Sequence, residues 1–218
     1  MPRPAARKKN GRRPRVNDPE GTRRNIVDVA TREFAQKGYG GARVDAIANR
    51  TRTSKRMIYY YFGSKEGLYL AVLEGAYSAI RRTEASLDLE SLPPEAALRT
   101  LVGSTFDYYQ KHPEFVRLVM NENIMDGAHM KRSKAIGTLN LTVIDALSRL
   151  VARGQRAGVF RRDIDPIELH MTISALGIFN VANRATFSTI FKRDMTSRRA
   201  QATRRAEVVD IILGHVSR

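Results

Sequence analysis

The chain has 218 residues, enough for one or two domains, and its formal net charge is +16 at pH 7. It contains no cysteine, which excludes a disulfide scaffold and thiolate-bound zinc or iron–sulfur clusters. No segment approaches the roughly 20 uninterrupted apolar residues of a membrane span, and the N-terminus lacks the apolar stretch of a secretory signal, so a soluble cytoplasmic protein is expected.

The positive charge is concentrated at the beginning of the chain. Residues 1–65 contain 17 Lys and Arg against 5 Asp and Glu, whereas residues 66–218 contain 21 against 17. The first 16 residues hold seven basic side chains, three prolines and no acid, which is typical of a disordered segment. Residues 1–17 are therefore predicted to be a basic arm. It either follows the DNA backbone or minor groove, or is only a solvated tail or cloning remnant.

Three short patterns in residues 18–53 predict the first two helices of a helix-turn-helix. Residues 18–20 (DPE) place a capping Asp before a proline and an acid, which favours a helix start. The glycines in residues 38–41 (GYGG) end that helix. A short second helix carries Val44 and Ile47 toward the core, and residues 50–53 form a turn of the length that the motif needs.

Residues 54–62 predict a helix with two different faces. Ser54 can cap it, and Gly63 ends it. At about 100° per residue, one face presents polar and aromatic side chains and the other can pack. The first face carries Lys55, Arg56, Tyr59 and Tyr60, and the second carries Met57, Ile58, Tyr61 and Phe62. Because the first residues of a recognition helix usually reach base edges, the first face is predicted to contact DNA. Lys65, at the start of the next helix, is expected to hold a phosphate.

These residues resemble the TetR family of transcriptional repressors. The resemblance covers residues 22–80 and rests on F-A-x-K-G-Y, on D-x-I-A and on S-K-x-x-I-Y-Y-Y-F-G-S-K-E-G-L-Y. The G-V-F-x-x-x-I-D-P-x-x-L run at residues 158–169 is similar to the loop before the eighth helix of family members. Two positions depart from the family pattern: Arg43 replaces a capping Thr or Ser, and Arg52 replaces the glycine of the turn. Because a left-handed conformation costs a non-glycine residue about 1 kcal/mol, either the turn differs or a DNA contact offsets the cost.

Nine residues are thereby predicted to contact DNA. They are Arg43, Arg52, Thr53, Ser54, Lys55, Arg56, Tyr59, Tyr60 and Lys65. They belong to a DNA-binding domain predicted over residues 18–81, with the motif at about residues 44–63.

The remainder of the chain predicts helices at residues 64–85, 94–111, 114–125, 130–157 and 166–191, and one more at the C-terminus. There is no strand-like alternation with hairpin turns and no internal repeat. The sequence therefore predicts an all-α fold of about nine helices, in which residues 82–218 form a helical ligand-binding and dimerisation domain.

The last two predicted helices carry more apolar side chains than one face can hold. Residues 171–182 are apolar nearly all round, and Val208, Ile211 and Ile212 share one face of the terminal helix. In a lone domain both helices are core. In a homodimer they form a two-fold four-helix interface, which the family resemblance favours, and two identical heads then read a palindromic operator on double-stranded DNA.

The resemblance also implies a small-molecule effector bound in residues 82–218. Eight residues there combine apolar walls with a few polar groups, although such residues are also ordinary core. They are Phe106, Tyr109, Met120, Met125, His129, Asn140, Phe179 and Asn180. His129 and Asn140 are favoured because they are polar residues that can point inward.

The sequence offers no carrier for catalysis. The four histidines lie far apart and show no metal-ligand spacing, and neither G-x-S-x-G nor a phosphate-binding G-x-x-x-x-G-K-[ST] occurs. No metal or cofactor is therefore expected. The favoured interpretation is a dimeric transcriptional regulator, a repressor released from its operator by a small molecule. The alternatives are an architectural DNA-coating protein of low specificity, and an enzyme or carrier that uses only the helical domain.

Overall fold

The computed structural model describes residues 18–218, and the predicted arm, residues 1–17, lies outside them. This part of the chain consists of α1 (Pro19–Gly41), α2 (Val44–Thr51), α3 (Lys55–Phe62), α4 (Lys65–Ala85), α5 (Pro94–Lys111), α6 (Pro113–Ile124), α7 (Lys134–Arg156), α8 (Pro166–Ala182), α9 (Arg184–Ile190) and α10 (Arg198–Val216), with a 3₁₀ turn at Met130–Arg132. Between residues 18 and 218 the only extended pairing is an isolated antiparallel bridge between Phe160 and Ser217. The all-α prediction is confirmed, with one α-helix more than expected.

The first three helices surround a small core. Asp18 caps α1, since its Oδ1 accepts a hydrogen bond from the Gly21 amide at 2.8 Å. Gly38, with a φ of 67°, interrupts the helix near its end and turns the chain toward α2. The fully buried side chains of Phe34, Ile47 and Ile58 bring α1, α2 and α3 together.

α4 connects this core to the rest of the molecule. Its residues Leu68, Tyr69, Val72 and Leu73 are fully buried in the same core as α1–α3. Leu118 from α6 and Ile136 from α7 belong to that core as well. The helix-turn-helix is therefore packed directly on the following helices and does not hang from a linker.

A second core lies between α5, α7, α8 and α10. Leu98 and Phe106 of α5 meet Leu147 of α7, Ile173 of α8 and Ile212 of α10, all with at most 3% of their surface exposed. A third, smaller cluster joins Ile80 of α4 to the aromatic side chains of α5 and α6. Because α4 contributes to two of the three clusters, it touches both the DNA-facing helices and the helical bundle.

Two of the predicted helices differ from the structure by more than one residue at a boundary. The helix expected over residues 130–157 begins at Lys134, because Ser133 caps it and accepts from the Ile136 amide at 3.2 Å. The helix expected over residues 166–191 is divided at Asn183, whose φ of −99° and ψ of 5° end α8 and start α9. Apolar periodicity continues across both points, so it did not reveal them.

Among the described residues, α7 is the one helix long and apolar enough to cross a membrane, by length and composition alone. In the fold, Ile136, Val143, Leu147 and Leu150 turn its apolar stripe inward against α4, α5 and α8. The other face of α7 is exposed and mostly polar, with Leu141 as an exposed apolar residue. This arrangement is that of an amphipathic helix at the edge of a bundle.

Candidate functional site

α3 presents its N-terminal turn to solvent. The Ser54 hydroxyl accepts from the Met57 amide at 3.2 Å and so fixes the start of the helix. Lys55 and Arg56 are exposed at this end, and the exposed fractions of Tyr59 and Tyr60 are 39% and 78%. Two cations and two phenols thus share one accessible surface, which is suited to phosphate and base edges.

The opposite face of α3 anchors the helix. Ile58 is fully buried, and Tyr61 and Phe62 are half-buried. The expectation that Met57 packs in the same way is wrong, because 37% of Met57 is exposed. Met57 lies at the edge of the apolar arc, and the short α3 packs mainly on α2 and α4, so the contact does not reach that far.

The two cations at the tip of α3 differ in their pairing. Lys55 Nζ lies 3.0 Å from Asp45 Oδ1 of α2. This hydrogen bond and charge raise the pKa of Lys55. Arg56 has no ion-pair partner within residues 18–218. Within the described residues, Lys55 is therefore engaged by an acidic side chain, whereas Arg56 is not.

The turn between α2 and α3 has a left-handed residue although that residue is arginine. Arg52 has φ 53° and ψ 34°, and the Thr53 amide donates to Ala48 O at 3.1 Å to close α2. The turn thus keeps the conformation that usually takes glycine, at a cost of about 1 kcal/mol. The Arg52 side chain is exposed beside α3.

A buried carboxylate that the sequence analysis missed holds the start of α2. Arg43 precedes α2 without a side-chain cap, and its amide donates to Glu33 Oε1 at 3.5 Å. Glu33 is completely buried and also binds Lys37 Nζ at 2.7 Å and Arg50 Nη1 at 3.0 Å. Burial alone raises the pKa of Glu33, but these hydrogen bonds and charges outweigh it and hold the pKa below its usual value. The carboxylate therefore links α1 to both ends of α2.

The α3–α4 junction is tight. Ser64 caps α4 by accepting from the Gly67 amide at 3.0 Å. A Cβ at Gly67 would lie 2.0 Å from the Phe62 carbonyl oxygen, so only glycine fits there. Lys65 is half-buried, with Nζ 4.8 Å from the centre of the Tyr39 ring. Its charge lies beside the N-terminus of α4, where an anion is favoured.

The nine predicted DNA contacts thus lie around α3 and its two neighbouring turns. Seven of them are exposed, and Thr53 and Lys65 are half-buried. That they touch DNA stays a prediction.

The eight predicted ligand contacts are spread over the helical bundle. Phe106 and Tyr109 are buried in two different clusters. Met120 and Met125 are exposed at 40% and 37%. The Asn140 amide donates to Ile136 O of its own helix at 2.9 Å.

Two of those eight, Phe179 and Asn180, line one cavity together. It has a volume of about 610 Å³ and lies between α8, α9 and α10. Phe187 and Phe191 form its aromatic wall, and Arg193 is at its edge. The Asn180 side chain is buried, and its Nδ2 has no hydrogen-bond partner in the described chain.

His129 lies at the junction between the first core and the bundle. Glu122 Oε1 accepts from the His129 amide at 2.6 Å, and Oε2 lies 3.2 Å from His129 Nδ1. The imidazole packs against Tyr39 and Tyr69, with ring centres 4.3 and 4.9 Å away. These contacts engage His129 as a structural residue that joins α1, α4 and α6.

α8 leaves one apolar face uncovered. Ile167, Met171 and Phe179 are exposed at 61%, 57% and 47%, and the exposed Ala175 and Ala182 fall within the same arc of about 120°. Ile211 of α10 is exposed at 48%. Exposed Glu168 lies in this arc at the start of α8, and the apolar side chains that follow it form the kind of surface that typically marks a protein interface.

Comparison with known proteins gives the same assignment for both parts of the chain. Residues 26–72 match the family model of bacterial regulatory proteins of the tetR family, and residues 94–212 match the tetracyclin repressor-like C-terminal domain. The transcriptional repressor NicS of Pseudomonas putida is 36% identical over 199 residues, which are 91% of this chain and 94% of NicS. The transcriptional regulator RutR of Escherichia coli is 31% identical over 69% of each chain.

Comparison with solved structures finds the same fold. The regulator SCO4942 of Streptomyces coelicolor superimposes with a TM-score of 0.68 at 29% identity, covering 89% of this chain and 98% of SCO4942. The ketosteroid regulator KstR2 of Mycobacterium tuberculosis has the same fold, with a TM-score of 0.68 at 21% identity over 94% of this chain and 97% of KstR2. Since family models match both parts of the chain and NicS is 36% identical over 91% of it, the chain belongs to the TetR family of transcriptional regulators.

Proposed function

We propose that the protein is a dimeric, cytoplasmic transcriptional repressor that binds a palindromic operator through α3 and leaves it when a small molecule occupies the helical bundle. The observation that carries the proposal is the capped N-terminus of α3. Arg56 and Tyr60 are exposed there, and Ile58 of the same helix is buried and anchors it. A rigid helix with an accessible basic tip is what major-groove reading needs.

The uncovered face of α8 supports a homodimer. Packing this face and α10 against a second copy removes the exposed side chains of Ile167, Met171, Phe179 and Ile211 from water. A two-fold axis at this interface presents two α3 helices to inverted half-sites.

The dimer is tested by sedimentation of two charge-introducing variants. Met171→Glu places a carboxylate in the proposed interface and is expected to give monomers. Leu141→Glu changes an equally exposed apolar residue, 66% accessible on α7, and should leave the dimer intact. If both variants sediment as the wild type does, the interface lies elsewhere.

Operator binding is tested by selecting a preferred duplex from random DNA and measuring its affinity against a scrambled duplex. A regulator should prefer its site by about 10³-fold or more. A DNA-coating protein, the alternative function, should show nearly equal affinities and a similar salt slope on both duplexes.

Substitution of Arg56 distinguishes base-specific recognition from non-specific electrostatic attraction to DNA. Arg56→Ala should cost about 1–3 kcal/mol on the selected duplex and flatten the ranking of its base variants. Arg162→Ala removes the same charge from an exposed position in the loop between α7 and α8 and should change neither. An unchanged ranking in Arg56→Ala would show that another face of α3 reads the bases.

A further inference from the structure

One acidic side chain lies inside the basic surface around α3. Residues 34–65 contain seven Lys and Arg and a single acid, Asp45. Asp45 is in the first turn of α2, and 55% of its side chain is exposed. Because a carboxylate is repelled by every phosphate, an acid at this place has a cost for binding any duplex.

The carboxylate of Asp45 is directed at the first residue of α3. Lys55 Nζ lies 3.0 Å from Oδ1 and 3.3 Å from Oδ2, and the Lys55 side chain is 48% exposed. An acid in the first turn of α2 also favours the helix through its dipole, but that role needs no lysine partner. The pair therefore joins the starts of α2 and α3 on the accessible side of the motif.

The ion pair keeps hydrogen-bonding capacity on its open side. An ammonium group has three donors and a carboxylate has about four acceptor positions, so their mutual contact leaves both groups able to bind a further molecule. Since about half of each side chain is exposed, a ligand from solvent can reach these positions. The surface thus offers a donor and an acceptor 3.0 Å apart.

Two of the predicted DNA contacts adjoin the pair. The hydrogen bond and charge of Asp45 raise the pKa of Lys55. Tyr59 adds to this rise in pKa, whereas the charge of Arg43 opposes it. Both residues are exposed, so the pair lies among the side chains that are predicted to meet DNA.

Phosphates and base edges present different groups to such a pair. A phosphate offers acceptors and a negative charge, so Lys55 attracts it and Asp45 repels it. A G·C base pair offers both kinds of group, since the guanine O6 acceptor and the cytosine N4 donor lie side by side in the major groove. These two atoms are about 3 Å apart, because they are hydrogen-bonded to each other.

We infer that Asp45 is a specificity-determining residue, which together with Lys55 recognises one G·C base pair in each half-site. Lys55 donates to O6 or N7 of guanine, and Asp45 accepts from N4 of the paired cytosine. An A·T pair fits less well, because thymine has a single acceptor, O4, with a methyl group beside it. The inference rests on the proposed function, since it names a base pair that the operator must contain.

The same carboxylate acts against binding at other sequences. On DNA without a G·C pair at this position, Asp45 meets no cytosine donor and still faces the negative charge of the backbone. Asp45 therefore lowers the affinity for wrong sequences more than the affinity for the right one. Specificity depends on that difference.

The test uses the full-length protein and duplexes in which each base pair of one half-site of the selected site is replaced in turn. Fluorescence anisotropy gives their affinities, and that of a scrambled duplex at several salt concentrations. We expect one G·C position at which replacement by A·T weakens wild-type binding about tenfold. In Asp45→Ala, the same replacement should weaken binding less than about twofold.

Asp45→Ala should also bind the scrambled duplex roughly fivefold more tightly than wild type at about 0.1 M salt. Its salt slope should be steeper by about 1, because Lys55 is then free to neutralise a phosphate. A variant that merely damaged α2 would bind every duplex more weakly. Asp28→Ala removes the same charge from an exposed position of α1, in the groove beside α4, and should leave both the ranking and the salt slope as in wild type.

Lys55 supplies the second half of the test. Lys55→Met should lose the same G·C preference but bind the scrambled duplex more weakly, because it leaves Asp45 without a cation. In Asp45→Ala combined with Lys55→Met, the loss of preference should equal that of either single variant, since the two side chains act as one unit. Additive losses would indicate two independent contacts and overturn the inference.

The outcomes separate this inference from the proposed function. A preferred duplex whose base ranking is the same in wild type and Asp45→Ala would refute the role of Asp45 and leave operator binding intact. Unchanged affinity of Asp45→Ala for the scrambled duplex would refute that role as well. A wild type without any preferred duplex would refute operator binding, and the recognition of a G·C pair with it.

Discussion

Two buried glutamates show how the DNA-facing region and the helical bundle differ. Glu33, beside α2, has both oxygens bonded to cations and an amide, and its pKa is held below the usual value. Glu84, at the end of α4, has an oxygen without a partner, and its pKa is raised to about 7. In the first region, hydrogen bonds and neighbouring cations stabilise the buried charge. In the second, the cost of burying the carboxylate is only partly offset by Arg81, so the two regions treat the same side chain in opposite ways.

The largest expected effect comes from the same substitution at both positions. Glu33→Gln should lower the free energy of unfolding by about 3 kcal/mol, because it removes a buried charge that Lys37 and Arg50 surround. At pH 6, where Glu84 is mostly protonated, Glu84→Gln should change it by less than about 1 kcal/mol. Urea denaturation followed by circular dichroism measures both.

Glu20→Gln is the control for this pair. Glu20 is 88% exposed and lies 3.9 Å from Arg24, so its loss should be nearly silent. Equal destabilisation by Glu33→Gln and Glu84→Gln would erase the proposed difference between the two regions.

A smaller effect is expected in the pH dependence of stability. The folded pKa of Glu84, about 7, exceeds the ordinary 4.5. The contribution of Glu84 to the free energy of unfolding therefore falls as pH rises from 4.5 to about 7. The folded pKa of His170, about 4, is below 6.5, so its contribution rises with pH instead. Between pH 4.5 and 6.5, the contributions of Glu84 and His170 to the free energy of unfolding therefore change with pH in opposite directions.

Glu84→Gln should uncover the His170 contribution. Over this range, the free energy of unfolding of the variant should increase with pH relative to wild type, by up to about 1.4 kcal/mol per pH unit. Glu33→Gln should instead change the profile below pH 4.5, because the lowered pKa of Glu33 stabilises the fold as pH rises toward 4.5 and contributes no further slope above it. Parallel curves for wild type and Glu84→Gln would show that Glu84 is ionised normally.

The smallest effect concerns the left-handed turn. Arg52→Gly should raise the free energy of unfolding by about 1 kcal/mol, since glycine adopts a φ of 53° without strain. It should also weaken binding to all DNA sequences alike and make the salt slope shallower by about 1.

Asp126→Gly provides a matched control for the turn. Asp126 has a φ of 54° in the exposed segment after α6. The substitution should give a similar gain in stability without any change in DNA binding. If both variants bind DNA as the wild type does, Arg52 is a tolerated residue and makes no phosphate contact.

The helix-turn-helix was accessible from the sequence because its signals are local. Ser54, Gly63 and Ser64 mark the ends of α3 and the start of α4 within a few residues of one another. Caps and glycines act through hydrogen bonds and backbone angles of near neighbours, so their positions can be read directly. The divided helix at Asn183 carries no comparable signal, since apolar residues continue on both sides.

The buried charges could not be found in this way. Glu33 and Arg81 look like ordinary surface residues of amphipathic helices, and their burial depends on contacts with α2 and α5 that the periodicity of one helix does not contain. The Glu84 spacing of three residues from Arg81 suggests only a common helical ion pair. For the same reason, the predicted ligand residues were chosen by chemical type, and the structure distributes them over several clusters.

The contact between Gly67 and the Phe62 carbonyl has a mechanical consequence. Since no side chain or gap separates the end of α3 from the start of α4, the two helices behave as one bent lever. A helix of 21 residues is about 30 Å long, so a tilt of about 5° about its far end moves the near end by roughly 2.6 Å. That displacement is close to the rise of about 3.4 Å along the DNA helix axis from one phosphate to the next on the same strand. A rotation too small to disturb the bundle is therefore enough to move α3 out of register with the DNA groove.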